Sequence, residues 1–106
     1  MRAFLAALEL ARILAGETPG CPIDGKVAVA QVWQARQDAG IVGGWYGYDT
    51  PTTTDLAVAL TWQAWPDIVH GALYAVGPGD ADRMPWLDKP TFYRACDGTT
   101  ITTWTG

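Results

Sequence analysis

The sequence contains no serine and no asparagine. A Ser-His-Asp triad is therefore impossible, and so is an N-glycosylation acceptor. Histidine occurs once, at His70, and cysteine twice, at Cys21 and Cys96. Zinc sites draw about four ligands, mostly His and Cys at short spacing. Three such residues scattered along the chain do not make one, so no metal and no cofactor are expected. Charge is also sparse: 17% of residues are charged, with 7 bases against 11 acids, for a net charge of −4. A phosphate backbone demands a cationic surface, which excludes nucleic acid as the expected partner. No apolar run approaches the roughly 18 residues of a membrane helix. The apolar stretch from Ala3 to Leu8 is broken by Glu9 and Arg12 before any cleavage site, so no signal peptide is visible.

What remains is a chain of 106 residues, 49% hydrophobic, with six tryptophans and four tyrosines. That is one domain, residues 1–106, with enough apolar mass for a core. Residues 2–17 read as a helix: Ala and Leu dominate, and Phe4, Ala7, Leu8, Ala11 and Leu14 share one apolar arc. Thr18-Pro19-Gly20 ends it. Residues 24–39 read as a second helix, with Asp24 as N-cap and Gly40 as stop. Its apolar residues run nearly all the way round, so it is expected at the centre. Residues 40–52 form a Gly- and aromatic-rich loop.

Thr52 and Asp55 stand in capping-box spacing before a third helix that Pro66 ends. Trp33, Trp62 and Trp65 sit at core spacing on the helices. Residues 72–76 read as a short strand. Asp97-Gly98 is a favoured two-residue hairpin turn, pairing Thr91–Cys96 with Thr99–Trp104. The fold class is α+β: three main helices and a short antiparallel sheet with a C-terminal hairpin.

Glu17 is the leading candidate for chemistry. It is one of two glutamates and lies at the C-terminal end of a helix, where partial negative charge disfavours a carboxylate. On the wheel it falls between Ile13 and Leu10, away from Glu9 and Arg12. Desolvation and the terminus are both expected to raise its pKa, as a general acid requires. The bland reading is an exposed glutamate with no role.

The residues from Leu10 to Gly20 (Leu-Ala-Arg-Ile-Leu-Ala-Gly-Glu-Thr-Pro-Gly), followed by Gly25-Lys26-Val27-Ala28-Val29-Ala30-Gln31-Val32-Trp33, carry a resemblance. They are similar to the opening of the cell wall hydrolases related to spore-cortex-lytic enzymes. Gly71-Ala72-Leu73-Tyr74-Ala75-Val76, Met84-Pro85-Trp86 and Thr91-Phe92-Tyr93 resemble later blocks of that family. The resemblance implies a small lysozyme-like domain that cleaves the glycan strands of peptidoglycan between N-acetylmuramic acid and N-acetylglucosamine. It implies a lytic transglycosylase in which Glu17 acts first as acid and then as base. It also implies action on the cell wall, whether by secretion or by phage delivery, and a monomer is expected. A two-carboxylate glycosidase would need a partner for Glu17. Asp49 and Asp55 are the candidates, and Asp49 is the better one because Asp55 caps a helix.

Trp45, Tyr46, Tyr48 and Asp49 in the loop, together with Trp86, are candidate substrate contacts, since aromatic faces stack on sugars. Tyr74 is placed beside the acid by the resemblance. The bland alternative for each of these aromatics is a ring packed for structure alone, and for Tyr74 a half-buried strand tyrosine. Cys21 and Cys96 either form one disulfide or remain two buried thiols. A rival reading takes Cys21 as a thiol nucleophile before a helix, with His70 as base, in a cell wall peptidase. A third is a glycan-binding or structural domain without catalysis.

Overall fold

The first two helices stop where the sequence says they must, whereas the third stops at Thr61, ahead of the expected end at Pro66. In a computed structural model, which describes residues 2–45, 47–76, 84, 87 and 89–105, α1 runs Arg2–Glu17. Thr18 closes it: its N–H donates to Leu14 O at 2.9 Å and its hydroxyl donates to the same oxygen. Pro19 cannot extend the ladder, and Gly20 turns the chain at φ 70°.

Helix α2 spans Ile23–Asp38. Its N-cap is Pro22, with no side-chain cap, so Asp24 is not the cap expected from sequence. Asp24 lies one turn position inside the helix, where its Oδ1 accepts from Gly25 N–H and meets Arg94 Nε at 3.3 Å. That pair is half exposed and contributes little. At the other end Gly40 N–H donates to Gln37 O and Ile41 N–H to Arg36 O. This is a Schellman ending, and Gly40 supplies its left-handed residue at φ 73°. Nine consecutive residues, Gly25 through Trp33, are buried. A helix apolar on all sides must be surrounded, and α2 packs against both other helices and every strand.

Helix α3 spans Thr53–Thr61. The capping box forms as expected: Thr52 Oγ1 accepts from Asp55 N–H, and Asp55 Oδ2 accepts from Thr52 N–H. A single 3₁₀ turn, Trp62–Ala64, follows. Trp65 is already extended there (φ −84°, ψ 143°). The helical spacing that would bury Trp65 beside Trp62 is thereby lost, and Trp65 is 39% exposed, unlike buried Trp33. Gln31 then pins the chain to α2: its Nε2 donates to Pro66 O at 2.7 Å and its Oε1 accepts from Ile68 N–H at 2.9 Å.

The sheet has three strands: β1 (Tyr74–Val76), β2 (Pro90–Cys96) and β3 (Thr99–Trp104). All pairings are antiparallel and the order is β1-β3-β2. Cys96 pairs with Thr99 across Asp97-Gly98, the expected two-residue hairpin, with Gly98 at φ 83°. Strand β1 is shorter than residues 72–76. Ile101 and Thr103 face inward and are buried. The α+β fold of three helices and a small antiparallel sheet is thus established, with no helix among the described residues long and apolar enough to cross a membrane.

The core joins Leu10, Ile13 and Leu14 of α1, Val27, Val29, Ala30 and Trp33 of α2, Val58 and Ala59 of α3, and Ile101; on the other side of α2, Ala28 and Val32 pack with Val69 and Ala72. Phe4 departs from the expected arc and is 62% exposed. It sits on the rim of a shallow apolar groove between α1 and α3, with Ala7, Leu8, Leu56 and Leu60. Cys21 and Cys96 form a disulfide with Cα atoms 4.5 Å apart. The bond ties the α1–α2 turn to the hairpin across 75 residues of sequence. By loop-closure entropy, such a link contributes on the order of 4 kcal/mol. Asp97 N–H donating to Gly20 O reinforces the same junction.

Candidate active site

The site is built on a backbone contact. Gly16, next to last in α1, lies directly against Gly47 of the aromatic loop. A Cβ on Gly47 would fall 2.5 Å from Gly16 C and 2.6 Å from Gly16 O. A Cβ on Gly16 would strike Gly47 and Tyr48 N in return. Only glycine at both positions lets the loop lie this close across the helix. Gly47 N–H then donates to Glu17 Oε1 at 2.7 Å, and Asp49 N–H donates to Arg12 O at 3.1 Å. The half-buried Glu17 carboxyl is therefore held by backbone, not by another side chain's rotamer alone. Gly16→Ala is expected to lift the loop and cost about 1–3 kcal/mol. A urea midpoint equal to that of the parent protein would refute the contact.

A second cluster flanks the same loop. The Arg36 guanidinium lies 5.8 Å from the Trp45 ring centroid and 5.7 Å from that of Tyr74. Its Nη1 donates to Leu73 O at 2.9 Å and its Nη2 to Gly43 O at 3.1 Å. Cation–π attraction and these two hydrogen bonds gather the loop, the end of α2 and β1 around one side chain. Trp45 and Tyr74 are brought together this way, both half-buried. Trp45 also packs on the core, so part of its face serves the interior.

A third cluster lies beneath. Lys26 Nζ meets Asp55 Oδ1 at 2.6 Å, with 7% and 1% of the two side chains exposed. The ammonium also donates to Thr18 O at 2.9 Å and to Thr18 Oγ1 at 3.3 Å. The starts of α2 and α3 and the end of α1 thus meet at one buried ion. Burial pushes the Asp55 carboxyl up, but the Lys26 ammonium and the Thr52 N–H and hydroxyl outweigh it, so the pKa is lowered below 3.8. The partial negative charge at the end of α1 is also partly offset by this ammonium, a placement the sequence alone does not reveal.

These contacts sort the candidates. Asp55 is committed to the buried pair and the helix cap, so it is not a second carboxylate for catalysis. Asp49 is exposed, with Oδ1 accepting from Thr50 N–H. Together with Arg12, Tyr48, Thr50 and Pro51 it lines an open cleft of about 450 Å³. Tyr46 and Trp86 lie outside the described residues. Cys21 has no thiol, being bonded to Cys96, which removes the nucleophile of the Cys21–His70 reading. His70 is exposed and sits at φ 55°, with its N–H on Asp67 Oδ1. That conformation strains a non-glycine residue, so His70→Gly is expected to raise stability by about 0.5–1 kcal/mol in thermal unfolding. No group of three or more His, Cys, Asp or Glu among the described residues could hold a metal ion.

Arg36, Lys26 and the Gly16–Gly47 contact were not singled out by sequence reasoning. A lone lysine ahead of the apolar run Val27-Ala28-Val29-Ala30 was the available signal for Lys26. Nothing in the sequence pairs two glycines 31 positions apart. Comparison of the chain with protein-family models, curated proteins and solved structures found no match.

Proposed function

We propose that this protein cleaves peptidoglycan glycan strands between N-acetylmuramic acid and N-acetylglucosamine, with Glu17 as the acid and then the base. Glu17 gives its proton to the bridging oxygen as the bond from muramic C1 breaks. The resulting carboxylate takes the proton of the muramic 6-hydroxyl as that oxygen bonds to C1. The product is a 1,6-anhydro end, no water is consumed, and Glu17 finishes protonated as it began. One carboxyl suffices for this cycle.

The observation that carries the reading is the Glu17 carboxyl at the end of α1, half-buried and positioned by the Gly47 N–H at 2.7 Å. A positioned acid needs a fixed oxygen, and a glycine–glycine backbone contact is a stiff support for one. Half-buried Trp45 and Tyr74 stand at that loop with Arg36 against each ring, and aromatic rings of this kind stack on sugars through whatever face stays open. The commitment of Asp55 to its buried pair leaves Asp49 as the one second carboxylate a hydrolase could use among the two candidates. Action on the cell wall accords with the disulfide, which persists in oxidising surroundings.

Digestion of purified sacculi followed by mass spectrometry tests the proposal. Anhydro-muramic ends are expected. Reducing ends would assign a hydrolase that uses water and Asp49. Intact sacculi that nonetheless bind the protein would assign a glycan-binding domain.

A further inference from the structure

We infer that the cleft formed by Arg12, Tyr48 and Asp49 binds a short peptide branch carried by the glycan strand, with Arg12 taking its carboxylate. The inference rests on the glycan-strand reading of Glu17 and adds a subsite to it. Arg12 is exposed, and among the described residues its guanidinium has neither an ion pair nor a hydrogen bond. The other arginines in the described contacts are spent: Arg36 is clamped between rings and carbonyls, and Arg94 faces Asp24. In a chain of net charge −4, an unpaired guanidinium at the mouth of a cleft is a feature that asks for an anion.

The rest of the lining narrows the ligand. Asp49 shares the cleft without an ion pair to Arg12, and its Oδ2 has no donor among the described residues. A bare phosphate would be repelled by Asp49, and a simple cation by Arg12. A neutral sugar would call for neither charge. A peptide offers a carboxylate and N–H donors a few ångströms apart, which suits both side chains at once. Tyr48, 55% exposed, presents its ring to the same space. The cleft volume of about 450 Å³ admits a few residues of such a chain; ligand sites typically span roughly 300–1,000 Å³.

Position connects the cleft to Glu17. Arg12 precedes Glu17 by five residues on α1, about 7.5 Å along the axis and about 140° round it, so the two side chains leave the helix on different faces and the loop that crosses between them is what joins their sites. The aromatic loop touches both levels, through Gly47 N–H at Glu17 and Asp49 N–H at Arg12 O. A strand cleaved at Glu17 reaches the second level only by carrying its branch round the helix along this loop, a path the length of a few peptide residues spans.

The test uses the Glu17→Gln chain, so that bound glycan is not consumed, titrated by calorimetry at low salt. Two soluble fragments of equal glycan length are compared, one bearing peptide branches and one stripped of them by an amidase. The branched fragment is expected to bind about tenfold tighter, and Arg12→Gln to bring it to the affinity of the stripped one. Arg12→Lys is expected to restore part of the difference, since charge without the planar fork remains. Equal affinities for the two fragments, or no effect of Arg12→Gln, overturns the subsite. No binding of the branched fragment overturns it as well. The cleavage reading is judged separately: wild-type protein that cuts stripped and branched strands alike keeps Glu17 and loses the subsite. Branch binding through Arg12 without any cleavage does the reverse.

Discussion

Glu17→Gln is expected to fold with an unchanged thermal midpoint and to lose roughly 10³-fold in the rate of glycan cleavage. The amide keeps an oxygen where Glu17 Oε1 accepts from Gly47 N–H, so the loop stays docked. What it lacks is a transferable proton. A thousandfold loss corresponds to about 4 kcal/mol of barrier. Glu9→Gln is the matched control, because Glu9 is the other glutamate, exposed and eight residues earlier on the same helix. It is expected to retain full activity. Release of anhydro-muramic fragments from sacculi, followed for both variants, decides the matter. Equal rates would remove Glu17 from catalysis. A lowered midpoint in Glu17→Gln would instead give the residue a structural job.

The largest expected loss of stability follows removal of Lys26. Lys26→Met leaves the Asp55 carboxylate buried without its cation and removes one of the two donors to Thr18 O, the Cys21 N–H being the other. Breaking such a pair from one side costs about 3–5 kcal/mol, a large share of what a domain this size can spare. The urea midpoint is the readout, and an unchanged slope would show that the variant unfolds as one unit. Adding Asp55→Asn to Lys26→Met is expected to recover part of the loss. The amide removes the stranded charge and can still accept from Thr52 N–H. A double variant as weak as the single one would mean that packing, not charge, is at stake.

The same pair sets a pH dependence. The folded Asp55 pKa lies below its ordinary 3.8. Its contribution is therefore complete above that value and is lost as pH falls through the lower folded one. Wild type is expected to lose stability below about pH 4 through this group, and the double variant to lose less over that range.

The features most visible in the sequence are those with local causes. Thr52 and Asp55 announce a cap by spacing, Asp97-Gly98 announces a turn, and Gly40 announces a stop. Each involves residues within a few positions, so the linear pattern contains the whole interaction. The unbroken apolar character of α2 likewise reports its central position, since burial on all sides leaves no polar stripe. Asp24 misled for a local reason too: Pro22 already fixes the entry to the helix, so the cap position falls two residues earlier. Phe4 and Trp65 misled because helical spacing says which residues share a face, not whether a neighbour reaches that face or whether the helix continues.

The candidate site was legible only at its centre. Glu17 stands out by its position on a helix. Its support does not, because Gly47, Arg36 and Lys26 act across 30, 37 and 29 positions respectively. Such partners are chosen by the fold. Trp45 and Tyr74 were proposed separately, and only the Arg36 side chain between them reveals that they belong to one cluster.

The link between Cys21 and Cys96 has a practical meaning for survival among peptidases. One scission at any position from 22 to 95 leaves both pieces covalently joined. A nicked molecule would migrate on a denaturing gel as a single species until a reductant was added, and α1 could not diffuse away from the hairpin in the meantime.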